Sequence, residues 1–536
     1  MATPSHLTGL PVELQRDIID YIKASPDLKA LCLVCKAFHS YAAPKLYRDL
    51  VLPPETLTKD LPRSLNRSNV SLRHTRRLRI SDPTSPHHRW YDHPKHGEHL
   101  VHLIQSIPKD ILERIDLHTQ EGIPLDVTAL MQSRQRNLCN YLLFYRTDPD
   151  IKPSYMPQAD DLANIVSLTF TIGDIVDCNR GSRILRNVHH PRDLSLLFTN
   201  EFQEEFTPQI GFVILFAEWT GTKSSRPKLA LRRLYLNRAP CEEIESTLTS
   251  ALDVRTLATL ELYMCWRSDY LLGHFSRQGM NLTSLVQYYD SWEADDDEPD
   301  TLETFVRSQS NLKEFLVTPT ENEDVQYWKA EMKCGTELRI LGLDDIGACG
   351  NSLYPGDFIR SQCHSPGTLH ELCAACPNLE QLAIHPPPPS KDSDHFDADS
   401  IGTLTACLKN LKQLVSVRLY IWPGEGKKAQ DLLSDTSKLH PLLQSKAQWL
   451  ADSLFSNLRD SSPRFVALAI DILKPYGTLF ADGDCKKFEE MSRLGYLRDY
   501  CFGEDGNVQI TGRPVALHRL RAEEPCNDIF KDDFFF

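Results

Sequence analysis

The stretch Leu379-Glu380-Gln381-Leu382-Ala383-Ile384 carries apolar residues at its first, fourth and sixth positions. Two apolar residues separated by one other residue lie on the same face of a β-strand. The pattern apolar-x-x-apolar-x-apolar recurs at Leu112/Ile115/Leu117, Leu138/Tyr141/Leu143, Ile165/Leu168/Phe170, Leu231/Leu234/Leu236, Leu257/Leu260/Leu262, Leu312/Phe315/Val317, Leu338/Leu341/Leu343, Leu414/Val417/Leu419 and Phe465/Leu468/Ile470. We therefore expect a short strand at each copy.

The spacing of these triplets indicates a repeat. Chance would give on the order of ten such triplets in a chain of 536 residues, so the pattern alone is weak. The middle positions 115, 141 and 168 are 26 and 27 residues apart, and positions 234, 260, 285, 315 and 341 are 26, 25, 30 and 26 residues apart. These steps lie near the period of about 20–29 residues that is typical of leucine-rich repeats.

Each repeat reads as a strand followed by a returning helix. Residues 301–310 and 367–375 are two of the predicted helices, and Asn311-Leu312 and Asn378-Leu379 follow them. One such unit cannot cover its own apolar face, so the units stack. The predicted fold class is α/β, with a curved leucine-rich-repeat-like solenoid. A non-repetitive α/β domain with coincidental leucines is the alternative.

Some parts of the chain depart from this spacing. The steps from 168 to 234, from 341 to 382 and from 417 to 468 are longer, so we expect inserted loops or degenerate repeats there. From about Leu432 the pattern becomes more helical. Residues 443–458 predict one amphipathic helix with Trp449, Leu450 and Leu454 facing inward.

The first fifty residues predict three short helices instead. Pro11 suits a first helical position, because its missing N–H would be unpaired there. Leu14, Ile18, Tyr21 and Ile22 then recur at helical spacing and form one apolar stripe.

Two further start signals follow. Ser25-Pro26-Asp27 predicts the start of the second helix, and Pro44 predicts the start of a third helix that contains Leu46, Tyr47 and Leu50. One face of the second helix carries Leu28, Leu31, Val34, Cys35 and Phe38. A unit of about 40 residues is near the lower limit for independent folding. We therefore expect its apolar surface to pack against the rest of the chain or a helical partner.

These elements resemble, in order and spacing, an F-box of the fungal type. The matching segments are Leu10-Pro11-x-Glu13-Leu14, Asp27-Leu28-x-x-Leu31, Leu33-Val34-Cys35-Lys36 and Pro44-x-Leu46-Tyr47-Arg48. The sequence departs from the family at Phe38, where tryptophan is common. The solenoid behind these helices resembles the irregular leucine-rich repeats that often follow an F-box.

The resemblance implies binding to the Skp adaptor of an SCF-type cullin–RING ubiquitin ligase, with helices seated in a groove. It places Leu10, Pro11, Leu14, Ile18 and Ile22 along the adaptor groove, and Leu28, Leu31, Val34, Cys35 and Phe38 at the centre of the interface. The alternative is an N-terminal helical subdomain buried on its own protein.

The predicted organisation has four parts. An F-box occupies residues 5–52, and a linker that begins with prolines and polar residues occupies 53–72. A leucine-rich-repeat-like solenoid with insertions occupies 73–522. The C-terminal tail, 523–536, ends in three phenylalanines that either cap the solenoid or remain disordered.

Charge and composition exclude several classes of partner. The chain has 59 Lys and Arg against 73 Asp and Glu, a net charge of −14, so we expect neither a nucleic-acid nor an anionic-membrane binder. No apolar run approaches the roughly 20 residues of a membrane span, and the N-terminus lacks a signal-peptide pattern. The 15 scattered cysteines do not form a secreted disulfide framework. We expect a cytoplasmic and/or nuclear protein.

Candidate chemistry is sparse. The pairs Cys32/Cys35 and Cys373/Cys376 have Cys-x-x-Cys spacing, and His364 and His370 precede the second pair. Zinc needs four convergent ligands, and buried small cysteines are the commoner case. No phosphate-binding loop, dinucleotide fingerprint, nucleophile elbow or H-E-x-x-H motif occurs. We expect no catalytic residue, metal or cofactor; an enzyme with its site around residues 363–376 is an alternative.

Two polar segments are predicted to be solvated surface, namely the acidic run Glu293–Asp300 and the basic stretch of Arg73, Arg76, Arg77 and Arg79 around His74. The proline-rich loop after His385 is predicted to be an extended spacer, and a motif read by another protein is its alternative. The acidic run is alternatively a dock for a basic ligand segment.

The expected function is that of a non-catalytic substrate adaptor, not an enzyme. The F-box would bind the ligase and the solenoid an unknown target protein, so that ubiquitin transfer is accelerated by proximity. A leucine-rich-repeat scaffold that binds the Skp adaptor without delivering a substrate is the alternative.

Overall fold

The computed structural model describes residues 10–22, 25–52, 65–66, 69–80, 96–117, 130–131, 133–135, 138, 140–141, 165–188, 190–198, 207–220, 226–288, 301–317, 335–343, 365–386, 398–421, 436–472, 493–502, 507–515 and 520. The architecture is mixed α/β. The chain divides into two compact units, Met1–Thr256 (unit 1) and Leu257–Phe536 (unit 2).

Unit 1 begins with three helices and continues with strands and helices. Its helices are α1 (Val12–Tyr21), α2 (Ser25–Val34), α3 (Lys36–Leu46), α4 (His96–Ser106), α5 (Ile175–Asn187), α6 (Pro208–Leu215), α7 (Ala217–Thr220) and α8 (Cys241–Ala251). Its strands are β1 (Asp49–Leu52), β2 (Arg77–Ile80), β3 (Arg114–Leu117), β4 (Asn140–Tyr141), β5 (Ser167–Ile172), β6 (Asp193–Phe198) and β7 (Arg233–Asn237).

Unit 2 continues the alternation and ends in two long strands. Its helices are α9 (Ser268–Arg277), α10 (Thr301–Ser308), α11 (Pro366–Ala375), α12 (Ala398–Leu408) and α13 (Thr436–Asn457). Its strands are β8 (Thr259–Tyr263), β9 (Ser284–Tyr288), β10 (Glu314–Val317), β11 (Ile340–Leu343), β12 (Gln381–Ile384), β13 (Ser416–Ile421), β14 (Ala467–Ile472), β15 (Arg493–Phe502) and β16 (Val508–Val515).

Strands that follow one another in the chain lie side by side. In unit 1, β1 to β4 form a parallel sheet, and β5 to β7 are parallel strands of another sheet. In unit 2, β8 to β14 are parallel in chain order, and β15 and β16 are added antiparallel. Parallel neighbours require a crossover connection, and a helix supplies it where the structure describes one, as α5 does between β5 and β6.

The predicted triplets set the register of these strands, because the middle residue of one copy pairs with the middle residue of the next. The aligned residues of unit 1 are Leu50, Leu78, Ile115 and Tyr141 in the first sheet and Leu168, Leu194 and Leu234 in the second. Those of unit 2 are Leu260, Leu285, Phe315, Leu341, Leu382, Val417 and Leu468. The predicted strands are therefore confirmed wherever the structure describes a copy.

One face of the strands is the main source of burial. From Leu78 onward, every aligned residue whose burial the structure describes is at most 1% exposed. Complete burial of such a side chain contributes about 1.5–3 kcal/mol. We call this side the leucine face, and the side that carries the alternate strand residues the opposite face.

Six strands lie outside the ten triplet copies named from the sequence, namely β1, β2, β6, β9, β15 and β16. In β9 the third position is Gln287, and β15 and β16 were not predicted. Leu50 was predicted to lie in a third helix. That prediction is wrong: α3 ends at Leu46, and Leu50 lies in β1. Thr75 and Pro191 occupy the first triplet position before Leu78 and Leu194, so β2 and β6 have degenerate triplets. The long step from 168 to 234 thus contains β6. Across the two other long steps, β11 pairs directly with β12 and β13 with β14, which indicates insertions.

Within each unit, a buried glutamine binds the backbone just before a neighbouring strand. Gln309 Oε1 accepts the N–H of Leu282 at 2.8 Å. Gln135 Oε1 accepts the N–H of Ile111 and of Leu112 at 3.1 Å. Each glutamine therefore satisfies backbone donors that would otherwise be buried without a partner.

The opposite face becomes buried toward the end of unit 2. Strands β12, β13 and β14 are buried at every residue. Leu520 belongs to the apolar cluster on this face and lies against Gly495, where an added Cβ would sit 3.1 Å from Leu520 Cδ1. Arg418 of β13 and Asp471 of β14 form a buried ion pair within the same sheet, with Nε and Oδ2 2.5 Å apart.

Helix α13 covers the outer side of β16. Asp452 Oδ1 accepts the N–H of Gly512 at 2.6 Å, and Gln448 Nε2 donates to the Gly512 carbonyl at 2.5 Å. Leu450 and Leu454 face inward as predicted. The predicted inward position of Trp449 is wrong, because its side chain is 43% exposed. These contacts protect an edge strand from pairing with another chain.

Candidate partner-binding site

The N-terminal three-helix module, α1 to α3, has a small core of its own. Four side chains are buried together, those of Ile19, Leu28, Phe38 and Ala42. Phe38, at the position where the sequence departs from the F-box family, therefore fills the centre of the module. Leu28 and Phe38 support the shape of the module from within rather than from its surface.

Other apolar side chains of the module face solvent. Leu14 is 48% exposed and Ile18 is 36% exposed, and their spacing of four residues puts them on one side of α1. At the end of α2, Leu33 is 81% exposed and Val34 is 61% exposed. Val12 is also exposed. Leu14, Ile18 and Val34 are predicted partner-binding residues, whereas Val12 and Leu33 were not predicted, since their exposure follows from where the helices begin and end.

The orientation of α1 differs from the predicted stripe. Ile19 is buried while Leu14 and Ile18 are not, and Gln15 is also buried. Gln15 can be buried because its Nε2 donates to the Leu10 carbonyl at 2.7 Å. Pro11 precedes the first helical residue instead of occupying it, and its carbonyl accepts the N–H of Gln15.

The predicted second helix is too long. It begins at Ser25 as predicted, but Val34 ends α2 and Cys35 is extended, with φ −160° and ψ 167°. Cys35 Sγ then accepts the N–H of Phe38 at 3.5 Å and caps α3. Pro44 lies near the end of α3 and does not start a helix.

Lys45 fixes α3 to the end of α1. Its Nζ donates to the carbonyl of Ile19 at 3.1 Å and to the carbonyl of Asp20. A cation at the carbonyl end of a helix is favourable because the last carbonyls have no partner within the helix. The contact holds the exposed side of α1 in a fixed position within the module.

The remaining predicted partner-binding residues are exposed or half-buried. Pro11 is exposed, and Leu10 is half-buried. Three others pack against the module core while keeping part of their surface, namely Ile22, Leu31 and Cys35. The module therefore presents apolar surface on α1 and at the end of α2, above a core that these half-buried side chains complete.

The basic stretch that follows the module is tied into the first sheet. The carbonyl of Arg48 accepts the N–H of both Arg76 and Arg77 at 2.9 Å. Arg77 pairs with Asp49 at 3.7 Å, and Arg76 with Glu113 at 3.6 Å. These ion pairs fit the interpretation of the stretch as surface. Desolvation, with added repulsion from Arg73 and Arg76, lowers the pKa of His74.

Burial lowers the reactivity of several thiols among the described residues. Cys373 is buried, and desolvation, with smaller contributions from Cys407 and Cys376, raises its pKa to about 12. Burial likewise raises the pKa of Cys32. Among the residues that the structure describes, no group of three or more His, Cys, Asp or Glu is arranged to hold a metal ion. His364, proposed as a neighbour of the second pair, lies outside the described residues.

Several other predictions also fall outside the described part of the chain. They concern the acidic run Glu293–Asp300, prolines 387–389 and the tail 523–536. Within the predicted linker, Leu65 and Leu72 are described and are buried, so part of it belongs to the folded unit.

Comparison with known proteins adds no assignment. No family model matches the sequence, and no curated protein matches it. None of the helices in the described ranges is both long and apolar enough to cross a membrane.

Proposed function

We propose that this chain is a substrate-recognition adaptor of an SCF-type cullin–RING ubiquitin ligase. The observation that carries the proposal is the exposed apolar surface of the three-helix module, at Leu14 and Ile18 on α1 and at Leu33 and Val34 on α2. The core of the module has only four buried side chains among the described residues. Covering the exposed apolar surface with a helical partner would therefore stabilise it.

The proposed roles separate contact residues from core residues. Leu14, Ile18 and Val34, together with Val12 and Leu33, would touch the Skp-type adaptor. Leu10, Pro11, Ile22, Leu31 and Cys35 would form the rim of the contact. Leu28 and Phe38 would hold the helices in position from within.

The remaining strands and helices support the second half of the proposal. We infer that strands aligned on their middle leucines, with helical returns between them, are repeats of a leucine-rich-repeat solenoid. A stack of this kind presents a long surface to another protein. The chain would thus bring a target lysine close to the conjugating enzyme and supply no catalytic group of its own.

Adaptor binding is testable with single charges. We predict that Leu14→Asp lowers the co-purification of a Skp-type adaptor more than 100-fold, because a carboxylate would be desolvated in the groove. Val34→Asp should act in the same way. Val70→Asp is the matched control, since Val70 is 65% exposed but lies outside the module.

The control separates the proposal from a general loss of folding. Normal recovery of the adaptor with both Leu14→Asp and Val34→Asp would contradict the proposal, as would equal loss with Val70→Asp. Leu31→Asp is expected to abolish adaptor binding as well, but Leu31 also packs against the module core, so the Leu14 variant is the sharper test.

The scaffold alternative keeps the adaptor contact and drops substrate delivery. Turnover distinguishes the two functions. For a ligase subunit, loss of this chain should lengthen the half-life of at least one protein that co-purifies with it when the proteasome is blocked. Unchanged half-lives of all such proteins would favour the scaffold.

A further inference from the structure

The outer side of helices α5 and α6 in unit 1 carries exposed apolar side chains. Ile175 and Val176 on α5 and Ile210 and Val213 on α6 are each 42–48% exposed. Single exposed apolar residues are ordinary on a protein surface, whereas a contiguous group of them is typical of an interaction site. We call these four residues the α5/α6 patch.

The two helices pack side by side, which brings the exposed side chains together. An added Cβ at Gly181 of α5 would lie 2.7 Å from Leu215 Cδ1 of α6, so the helices approach closely there. Each helix follows one strand of the parallel series β5 to β7 and precedes the next, so α5 and α6 run in the same direction. Their first turns therefore lie at the same end of the pair, and the exposed residues of α5 lie beside those of α6.

Side-chain caps fix the first turn of both helices. Asp174 Oδ1 accepts the N–H of Val176 at 2.7 Å and the N–H of Asp177 at 2.8 Å. Thr207 Oγ1 accepts the N–H of Ile210 at 3.4 Å. The backbone beneath the α5/α6 patch is thus already ordered, so a partner that binds here loses little free energy in ordering it.

Two arginines continue the same side of α5. Arg180 and Arg183 follow Val176 by four and seven residues, which places all three on one stripe of the helix. Within the described part of the chain, neither guanidinium has an ion pair or a hydrogen bond. Arg186, one turn further on, does have a partner, since it lies 3.2 Å from Glu218. The apolar surface is therefore flanked by two positive charges that no carboxylate neutralises, although the chain as a whole has a net charge of −14.

We propose that the α5/α6 patch binds an acidic amphipathic helix of a partner protein. Apolar side chains on one face of that helix would cover Ile210 and Val213. Asp or Glu side chains along its flank would pair with Arg180 and Arg183, because opposite charges at the rim of an interface select the partner and speed its association. Identifying this helix with the ubiquitination target rests on the proposed function, whereas the binding itself does not.

The test uses the full-length chain and labelled model helices of about 18 residues, long enough to be partly helical in water. Fluorescence anisotropy compares three peptides with the same leucine face and with glutamate, glutamine or lysine along its flank. We expect the glutamate peptide to bind most tightly, the lysine peptide about tenfold more weakly, and the affinity for the glutamate peptide to fall as salt is added. The double variant Arg180→Glu with Arg183→Glu should reverse this order.

The apolar part of the contact is tested separately. Val213→Asp should weaken the glutamate peptide about tenfold, because it places a carboxylate in the apolar contact. Val176→Asp should act in the same way, and it guards against misfolding because a carboxylate in the first turn favours a helix. Arg277→Glu is the matched control, since Arg277 is an exposed arginine on α9 of unit 2 and should leave peptide affinity unchanged.

Four results would overturn the assignment. They are equal affinity for the three peptides, wild-type binding by the double arginine variant, wild-type binding by both aspartate variants, and an equal loss with Arg277→Glu. Self-association of the wild-type chain that Val213→Asp abolishes, without peptide binding, would instead assign the patch to a second copy. The adaptor pull-down separates this result from the proposed function, because Val213→Asp should keep the adaptor and Leu14→Asp should keep the peptide.

Discussion

Replacing Asp471 with asparagine measures how much the buried ion pair between β13 and β14 contributes to the free energy of unfolding. Arg418 is fully buried and its Nε lies 2.5 Å from Asp471 Oδ2, so the substitution leaves a buried guanidinium without its counter-ion. Loss of one partner of such a pair costs about 3–5 kcal/mol. With a urea m-value of about 3 kcal/mol per molar for a unit of this size, the unfolding midpoint of unit 2 should fall by about 1–1.7 M.

Hydrogen exchange along a urea series, read at β13 and β14, measures this shift in unit 2 itself. The double variant Arg418→Met with Asp471→Leu is the matched control. It removes both charges and should recover most of the lost stability. A wild-type midpoint for Asp471→Asn would refute the reasoning. A double variant as unstable as the single one would assign the loss to packing.

Three further predictions concern Gln309 and two cysteines of unit 2. Gln309→Leu should cost about 1–3 kcal/mol and speed exchange of the Leu282 amide, because that N–H loses its acceptor; unchanged exchange would contradict the role of Gln309. With iodoacetamide at pH 8, exposed Cys501 should be alkylated and Cys373 should not react before unfolding, and early modification of Cys373 would be incompatible with its burial. Folding raises the pKa of Cys373 to about 12, because burial disfavours the thiolate. The free energy of unfolding should therefore be constant with respect to this group below the unfolded thiol pKa near 9, and should fall as the pH rises from 9 toward 12.

The strands were predictable from the sequence because their signal is local and periodic. Leu382 and Val417 each stand two residues before another apolar residue, and the face so formed is buried in the structure. A strand slipped by one residue would turn this face to the other side of the sheet, so the apolar pattern also determines the register. The pattern fails where Thr75 or Pro191 takes the first position and where Gln287 takes the third, because a strand forms without all three apolar residues.

The N-terminal module was less predictable, since its side chains are sorted by contacts between helices. On α1, the sequence does not distinguish the side of Leu14 and Ile18 from the side of Gln15 and Ile19. Burial of Gln15 depends on a hydrogen bond to the Leu10 carbonyl. Likewise, the break at Cys35 arises from a thiol cap on α3, and no proline or glycine marks it. The sequence therefore did not predict which side chains of the module face solvent.

The connection between the module and the first sheet bears on the proposed ligase role. Only Tyr47 and Arg48 separate α3 from β1, and the Arg48 carbonyl is held by two N–H groups at the entry to β2. Within unit 1 the module is thus joined to the sheet by a short, hydrogen-bonded turn, and the predicted linker follows β1 instead of preceding it. Proximity raises effective concentration most when the connection is short and matched to the distance. If the module binds an adaptor as proposed, a turn of this kind would hold the adaptor at a constant distance from the strands of unit 1.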